Sequence, residues 1–100
     1  IGYAPEDFFA AAIMNCFVAT LQYLIPRSGL SFDSLQMQGS LIVDRSDDGK
    51  VDMEVMQLDL KLFAPSDPER FVNLIQEVKA NCLIWNSVKT KIELNYELLC

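Results

Sequence analysis

The stretch PEDFFAAAIMNCFVATLQYLI, from Pro5 to Ile25, constrains this chain more than any other part of it. Charge stops at Asp7. Apolar residues then fall on every side of the helix that such a run forms, whereas a surface helix carries them on one stripe. The expectation is a helix buried on all faces, a central rod wrapped by the other elements. Its midpoint carries Cys16, so the functional question is whether that thiol lies in the core or at the floor of a cleft.

One hundred residues supply one domain with a modest core. The apolar fraction of 51% is high for a soluble protein and predicts an oligomer that hides part of its surface. A net charge of -6 with scattered basic residues excludes the electrostatic footprint of a nucleic-acid binder. The chain has no histidine, which removes Ser-His-Asp and Cys-His catalysis and most transition-metal sites, so no metal is expected. Cys16, Cys82 and Cys100 are too few and too far apart for a secreted disulfide framework or a zinc cage. The uncharged run from Phe8 to Ile25 reaches the minimum for a membrane span. Asn15, Thr20 and Gln22 interrupt it, Pro26 ends it, and no aromatic or basic belts flank it, so no membrane partner is expected. No signal-peptide pattern is visible, and a first residue that is Ile1 and not Met points to a processed or cleaved chain.

The helix should start at Pro5, with Glu6 and Asp7 facing the positive end of its dipole, and stop at Pro26 before Ser28-Gly29. A strand is expected over Phe32 to Asp44, with Leu35, Met37, Leu41 and Val43 on one face. Ser46-Asp47-Asp48-Gly49 reads as a hairpin turn. The return strand, Val51 to Phe63, switches phase from Val51, Met53 and Val55 to Met56, Leu58, Leu60 and Leu62, which predicts a β-bulge near Val55 to Gln57. A second helix opens at Pro65-Ser66-Asp67-Pro68-Glu69, capped either by Ser66 with Glu69 or by Asp67 with Pro68 at the first position. Phe71, Leu74, Ile75 and Val78 form its buried stripe, and it ends near Asn81-Cys82. A further turn over Leu83 to Val88 and an alternating strand carrying Ile92, Leu94, Tyr96 and Leu98 on one face complete an α+β chain.

Two constellations carry possible chemistry. Cys82 opens a new turn after the second helix, where the helix dipole and the nearby Lys79 would favour a thiolate. Paired with Cys16 it would make a redox couple, in which one thiolate reduces a peroxide and the other resolves the sulfenic acid. The alternative is two buried cysteines packing as small hydrophobes, and spacing alone favours it. The second constellation, Glu6 with Asp7, is met by a solvated first turn. Trp85 fits packing, with the wall of an apolar pocket as the other reading. Cys100 has no context.

The stretch from Ala4 to Ala12 leading to Asn15-Cys16-Phe17 resembles the central helix of the OsmC/Ohr family, which opens with Asn-Pro-Glu-x-Leu and reaches a cysteine ten residues after the glutamate. The order of the remaining elements agrees, down to Cys82 with Asn86-Ser87 following. In the family the second cysteine begins Cys-Pro-x-Ser-x-Thr/Ala; here Leu83 stands for the proline and Trp85 for the serine. The resemblance covers nearly the whole chain. It implies one OsmC-like domain over residues 1–100: a long central buried helix, a largely antiparallel sheet, a second helix and an intertwined homodimer. It also implies a cytoplasmic thiol peroxidase that reduces organic hydroperoxides in oxidative or osmotic stress, without metal or flavin. A dithiol, of which a lipoyl group is one type, would be the reductant. Cys16 resembles the peroxidatic cysteine, Cys82 the resolving one, and Glu6 the carboxylate that pairs with a catalytic arginine. That arginine belongs to N-terminal strands that would precede Ile1, and none of Arg27, Arg45 and Arg70 matches it. Ten helical residues place Glu6 and Cys16 about 15 Å apart along the axis, so Glu6 would serve a Cys16 only across a dimer or through that arginine. The competing expectation is a dimeric binding or interaction domain of the same fold without turnover.

Overall fold

In the computed structural model, which describes residues 4–100, helix α1 runs over Pro5–Ser28. Its entry uses Asp7 more directly than a dipole effect requires, because the carboxylate accepts the Ala4 N–H at 2.9 Å and so ties the first turn closed. Pro26 does not end the helix. It lies inside, and the chain leaves through Gly29 in the left-handed conformation at φ 75°. The carbonyl that Pro26 cannot serve belongs to Gln22, and both residues are exposed to water, which makes the missing hydrogen bond tolerable there. Ser28 supports the exit, its hydroxyl donating to the Ile25 carbonyl and accepting the Leu30 N–H.

Strands β1 (Ser34–Arg45) and β2 (Val51–Phe63) form the expected hairpin. At the turn, Gly49 takes φ 85° and its N–H donates to the Ser46 carbonyl at 2.9 Å. The Asp48 carboxylate accepts from the Ser46 hydroxyl and the Lys50 N–H, which together hold it below the usual carboxylate range. The bulge lies just before its expected position. Ile42 pairs with Val55 and Val43 with Met53, so the extra residue is Glu54. With it, Met56, Leu58, Leu60 and Leu62 all reach the buried face.

Helix α2 (Pro68–Ala80) is capped by Asp67, which accepts the Arg70 N–H, with Pro68 at the first position. Ser66 is used elsewhere, accepting the Ser31 N–H at 2.9 Å, so the other capping alternative is not taken. Phe71, Leu74, Ile75 and Val78 are buried as the periodicity requires. The short helix α3 (Leu83–Ser87) follows, and strand β3 (Lys91–Leu99) closes the sheet in the order β1-β2-β3. The sheet is mixed: the longer ladder, β1–β2, is antiparallel as expected, whereas β2–β3 is parallel. A hairpin can only return antiparallel, while the α2–α3 crossover carries the chain back to run alongside β2. The architecture is α+β.

The largest departure from expectation concerns α1. Only Ile13, Phe17 and Leu21 are buried, a single stripe at i, i+4, i+8, and 17% of its most apolar 18-residue window is covered. The opposite side presents Phe8, Ala12, Asn15, Ala19 and Tyr23 outward. By length and composition the helix is apolar enough to cross a membrane. Its buried stripe nevertheless packs into the core shared by the sheet and α2. The radius of gyration of 15.0 Å exceeds the ~13 Å of a compact hundred-residue domain, so the helix lies against the sheet without being wrapped.

Close packing of α1 on β1 rests on Gly39. A Cβ there would lie 2.5 Å from Met56 Cε and 3.1 Å from both Leu58 Cδ2 and Met14 Sδ. Gly39→Val is expected to lower stability by about 1–3 kcal/mol by overpacking, and Gly39→Ala by less, since methionine ends can swing aside. Urea midpoints of the two variants measure this, and an unchanged midpoint for valine would mean that α1 does not press on β1 here.

Candidate functional site

Cys16 sits in the middle of α1, on the flank between the buried stripe and the exposed apolar side, and is half-buried. Cys82 lies between α2 and α3 as the residue preceding Leu83 and is fully buried. What fixes Cys82 against α1 is the rest of α3. The Trp85 indole N–H donates to the Ile13 carbonyl at 2.8 Å, and its ring stacks on Phe17 with centroids 5.4 Å apart. Trp85 is thus a packing residue, as the first of its two readings holds. It clamps α3 to the same turns of α1 that carry Cys16.

The clamp brings the two thiols together. Cys16 is near enough to act on the Cys82 thiol, and Cys82 Sγ donates toward Thr20 Oγ1 at 4.0 Å. Thr20 Oγ1 in turn donates to the Cys16 carbonyl at 2.7 Å. Burial pushes the Cys82 thiol up to about 11; the Thr20 hydroxyl opposes that shift, and the neighbouring Cys16 adds to it. The expectation of a Cys82 thiolate favoured by the helix end and Lys79 is therefore overturned. A five-residue helix has little dipole, Lys79 does not act on the sulfur, and desolvation prevails. At neutral pH Cys82 is an S–H donor beside the Cys16 sulfur. Cys100, by contrast, is exposed at the end of β3.

Glu6 is not part of this cluster. It lies in the first turn of α1 and lines a separate cleft of about 860 Å³ with Phe9, Val43, Met53, Val88 and Thr90, beside the Lys89–Asp52 ion pair at 3.2 Å. Cys16 does not line that cleft, so within one chain the structure keeps Glu6 and the thiols apart. Among the described residues, no group of three or more histidine, cysteine, aspartate or glutamate side chains converges as a metal site. Sequence reasoning missed Thr20, treating it only as an interruption of an apolar run. The available signal was its place one helical turn after Cys16, which puts both on one face.

Residues 1–97 match the family described as OsmC-like protein. This chain belongs to the OsmC-like family. It is 28% identical over 98 residues to peroxiredoxin OsmC of Escherichia coli K12, a match that takes in 97% of this chain and 68% of that protein. Among solved structures, the fold superposes on an OsmC-like protein of unknown function from Vibrio cholerae with a TM-score of 0.82 at 18% identity, covering 93% of this chain and 63% of that one. It superposes on the organic hydroperoxide resistance protein OhrB of Bacillus subtilis with a TM-score of 0.76 at 20% identity, covering 98% and 71%. The chain therefore spans roughly two thirds of the length of these OsmC-like relatives.

The thiol environment predicts an order of reactivity. A small alkylating reagent at pH 8 should label Cys100 faster than Cys82, with Cys82 the slowest of the three thiols by mass mapping. Because the folded Cys82 pKa lies above the unfolded value of about 8.5, its contribution to stability is whole below that pH. It is lost as pH rises through about 11. Cys82→Ala should flatten the stability–pH curve across that window, and an unaltered curve would contradict a buried, protonated thiol.

Proposed function

We propose that this OsmC-like chain carries the reaction centre of a thiol peroxidase acting on organic hydroperoxides. The Cys16 thiolate attacks the outer oxygen of the hydroperoxide, the O–O bond breaks, the alcohol leaves with a proton, and Cys16 is left as a sulfenic acid. Cys82 then displaces the sulfenic oxygen as water and forms a Cys16–Cys82 disulfide, which a dithiol of the lipoyl type reduces by exchange. The reading is supported by two thiols from distant parts of the chain that share Thr20 as a neighbour, with Cys16 near enough to act on Cys82, in a protein whose E. coli relative is named a peroxiredoxin. The half-buried position of Cys16 and the full burial of Cys82 divide the roles: the first is reachable by substrate, the second only by its partner sulfur.

The exposed apolar side of α1 supports a homodimer, since Ala12 and Ala19 between Phe8 and Tyr23 would let a second helix approach closely. In such a dimer Glu6 serves a Cys16 across the interface or orients an arginine toward it, in a cytoplasmic enzyme of stress defence. A second reading draws on the cleft beside Glu6, which lies away from the thiols and is lined mostly by apolar side chains. There the chain is a dimeric binding domain that has kept the fold and lost turnover, in line with Leu83 and Trp85 in its second motif.

Cys16→Ser is expected to abolish hydroperoxide consumption, whereas Cys82→Ser should permit a single oxidation event and then stall. Full turnover by Cys16→Ser would sink the peroxidase reading. Mass mapping after one equivalent of an organic hydroperoxide separates the alternatives: a rapid Cys16–Cys82 crosslink supports the enzyme, and two unmodified thiols support the binding domain.

A further inference from the structure

Thr20 has a role that the two-cysteine cycle does not assign. A threonine inside a helix often returns its hydroxyl to the carbonyl four residues back, so the bond to the Cys16 carbonyl is unremarkable by itself. The second contact is not local. Cys82 reaches the same oxygen from the far end of α2, with its S–H pointing at Thr20 Oγ1. The Thr20 hydroxyl has one proton, already given to the Cys16 carbonyl, so it meets Cys82 with its lone pairs. One side chain therefore bonds the backbone of one cysteine and the sulfur of the other. It stands half-buried beside a small cleft of about 340 Å³ that it lines with Tyr23, Leu24 and Asn81.

We propose that Thr20 is a positioning residue for disulfide closure: its hydroxyl holds the Cys82 sulfur against Cys16 and turns its proton to that sulfur as the thiol ionises. This rests on the peroxidase reading above. In the closing step the Cys82 S–H bond and the Cys16 S–O bond break and the S–S bond forms. The sulfenic sulfur of Cys16 is reduced, the thiol sulfur of Cys82 is oxidised, and the Cys82 proton leaves with the hydroxide as water. The Cys82 sulfur must carry negative charge on the way, inside a core that offers it little solvation. The Thr20 hydroxyl is the side chain placed to supply a hydrogen bond to that charge, once its proton turns from the Cys16 carbonyl to the sulfur. Cys16 is the ionisable neighbour acting on Cys82.

The test compares Thr20→Val, which keeps shape and loses the hydroxyl, with Thr20→Ser, which keeps the hydroxyl. Reduced proteins are mixed with tert-butyl hydroperoxide; sulfenate is followed by dimedone trapping and the disulfide by non-reducing mass mapping across a pH series. Thr20→Val should form the Cys16 sulfenate at the wild-type rate and close the disulfide on the order of tenfold more slowly. Its closure profile should shift to higher pH, and Thr20→Ser should restore both. The proposal is overturned if Thr20→Val closes at the wild-type rate with an unshifted profile, if it slows sulfenate formation equally, or if Thr20→Ser behaves like valine. A wild-type protein that forms sulfenate and disulfide readily while Thr20→Val matches it refutes the Thr20 role alone. A wild-type protein that forms neither refutes the peroxidase reading and the role of Thr20 with it.

Discussion

The structure depends on the packing of Trp85 against two turns of α1. Its ring stacks on Phe17 and its indole N–H reaches the Ile13 carbonyl, so one side chain fixes both the distance and the rotation between α3 and the long helix. A stacked aromatic pair is worth about 0.5–1.5 kcal/mol beyond its buried area, and the hydrogen bond satisfies the one polar atom that burying tryptophan would otherwise strand. Because Cys82 is three residues before Trp85 on the same short element, the clamp also sets where that sulfur lies. Packing and chemistry at this point are one constraint.

The electrostatics of the pair follow from an asymmetry of burial. Cys82 is closed off by α1, α2 and α3, and its charge is expensive there. Cys16 sits one step toward the open side of α1. Desolvation is the largest influence on Cys82 and keeps the proton on its sulfur. On the peroxidase reading proposed above, this asymmetry of burial leaves Cys16 as the sulfur that substrate can reach.

Much of this was legible in sequence, because local rules acted without competition. The buried stripe of α2, the Asp67-Pro68 start, the Gly49 turn and the alternation of β3 each follow from periodicity or turn chemistry that the structure obeys. Pro26 was misread because a proline rule assumes that the freed carbonyl is costly, and Gln22 stands in water. The bulge displaced to Glu54 shows the limit of reading phase, since alternation marks that a residue is extra and only the ladder shows which one. The surroundings of α1 could not be read at all from one chain. An all-round apolar helix says that its faces are to be covered, and composition does not say whether the cover comes from the same chain. The environment of Cys82 was misjudged for a related reason: a helix end is visible in sequence, and the desolvation that outweighs it is made by residues far away in the chain.

The parallel pairing of β2 with β3 bears on the order in which the molecule is built. The hairpin of β1 and β2 needs only a five-residue turn between its strands, so its contacts are local and close early. Val55 meets Lys91 only after α2 and α3 have crossed over. Cys82 lies within that crossover, so the meeting of the two sulfurs belongs to the slow, long-range closure of the chain and not to the early hairpin. A newly made molecule would thus hold both cysteines as separate thiols until Trp85 seats α3 on α1. The arrival of Cys82 beside α1 belongs to the same long-range crossover that completes the sheet.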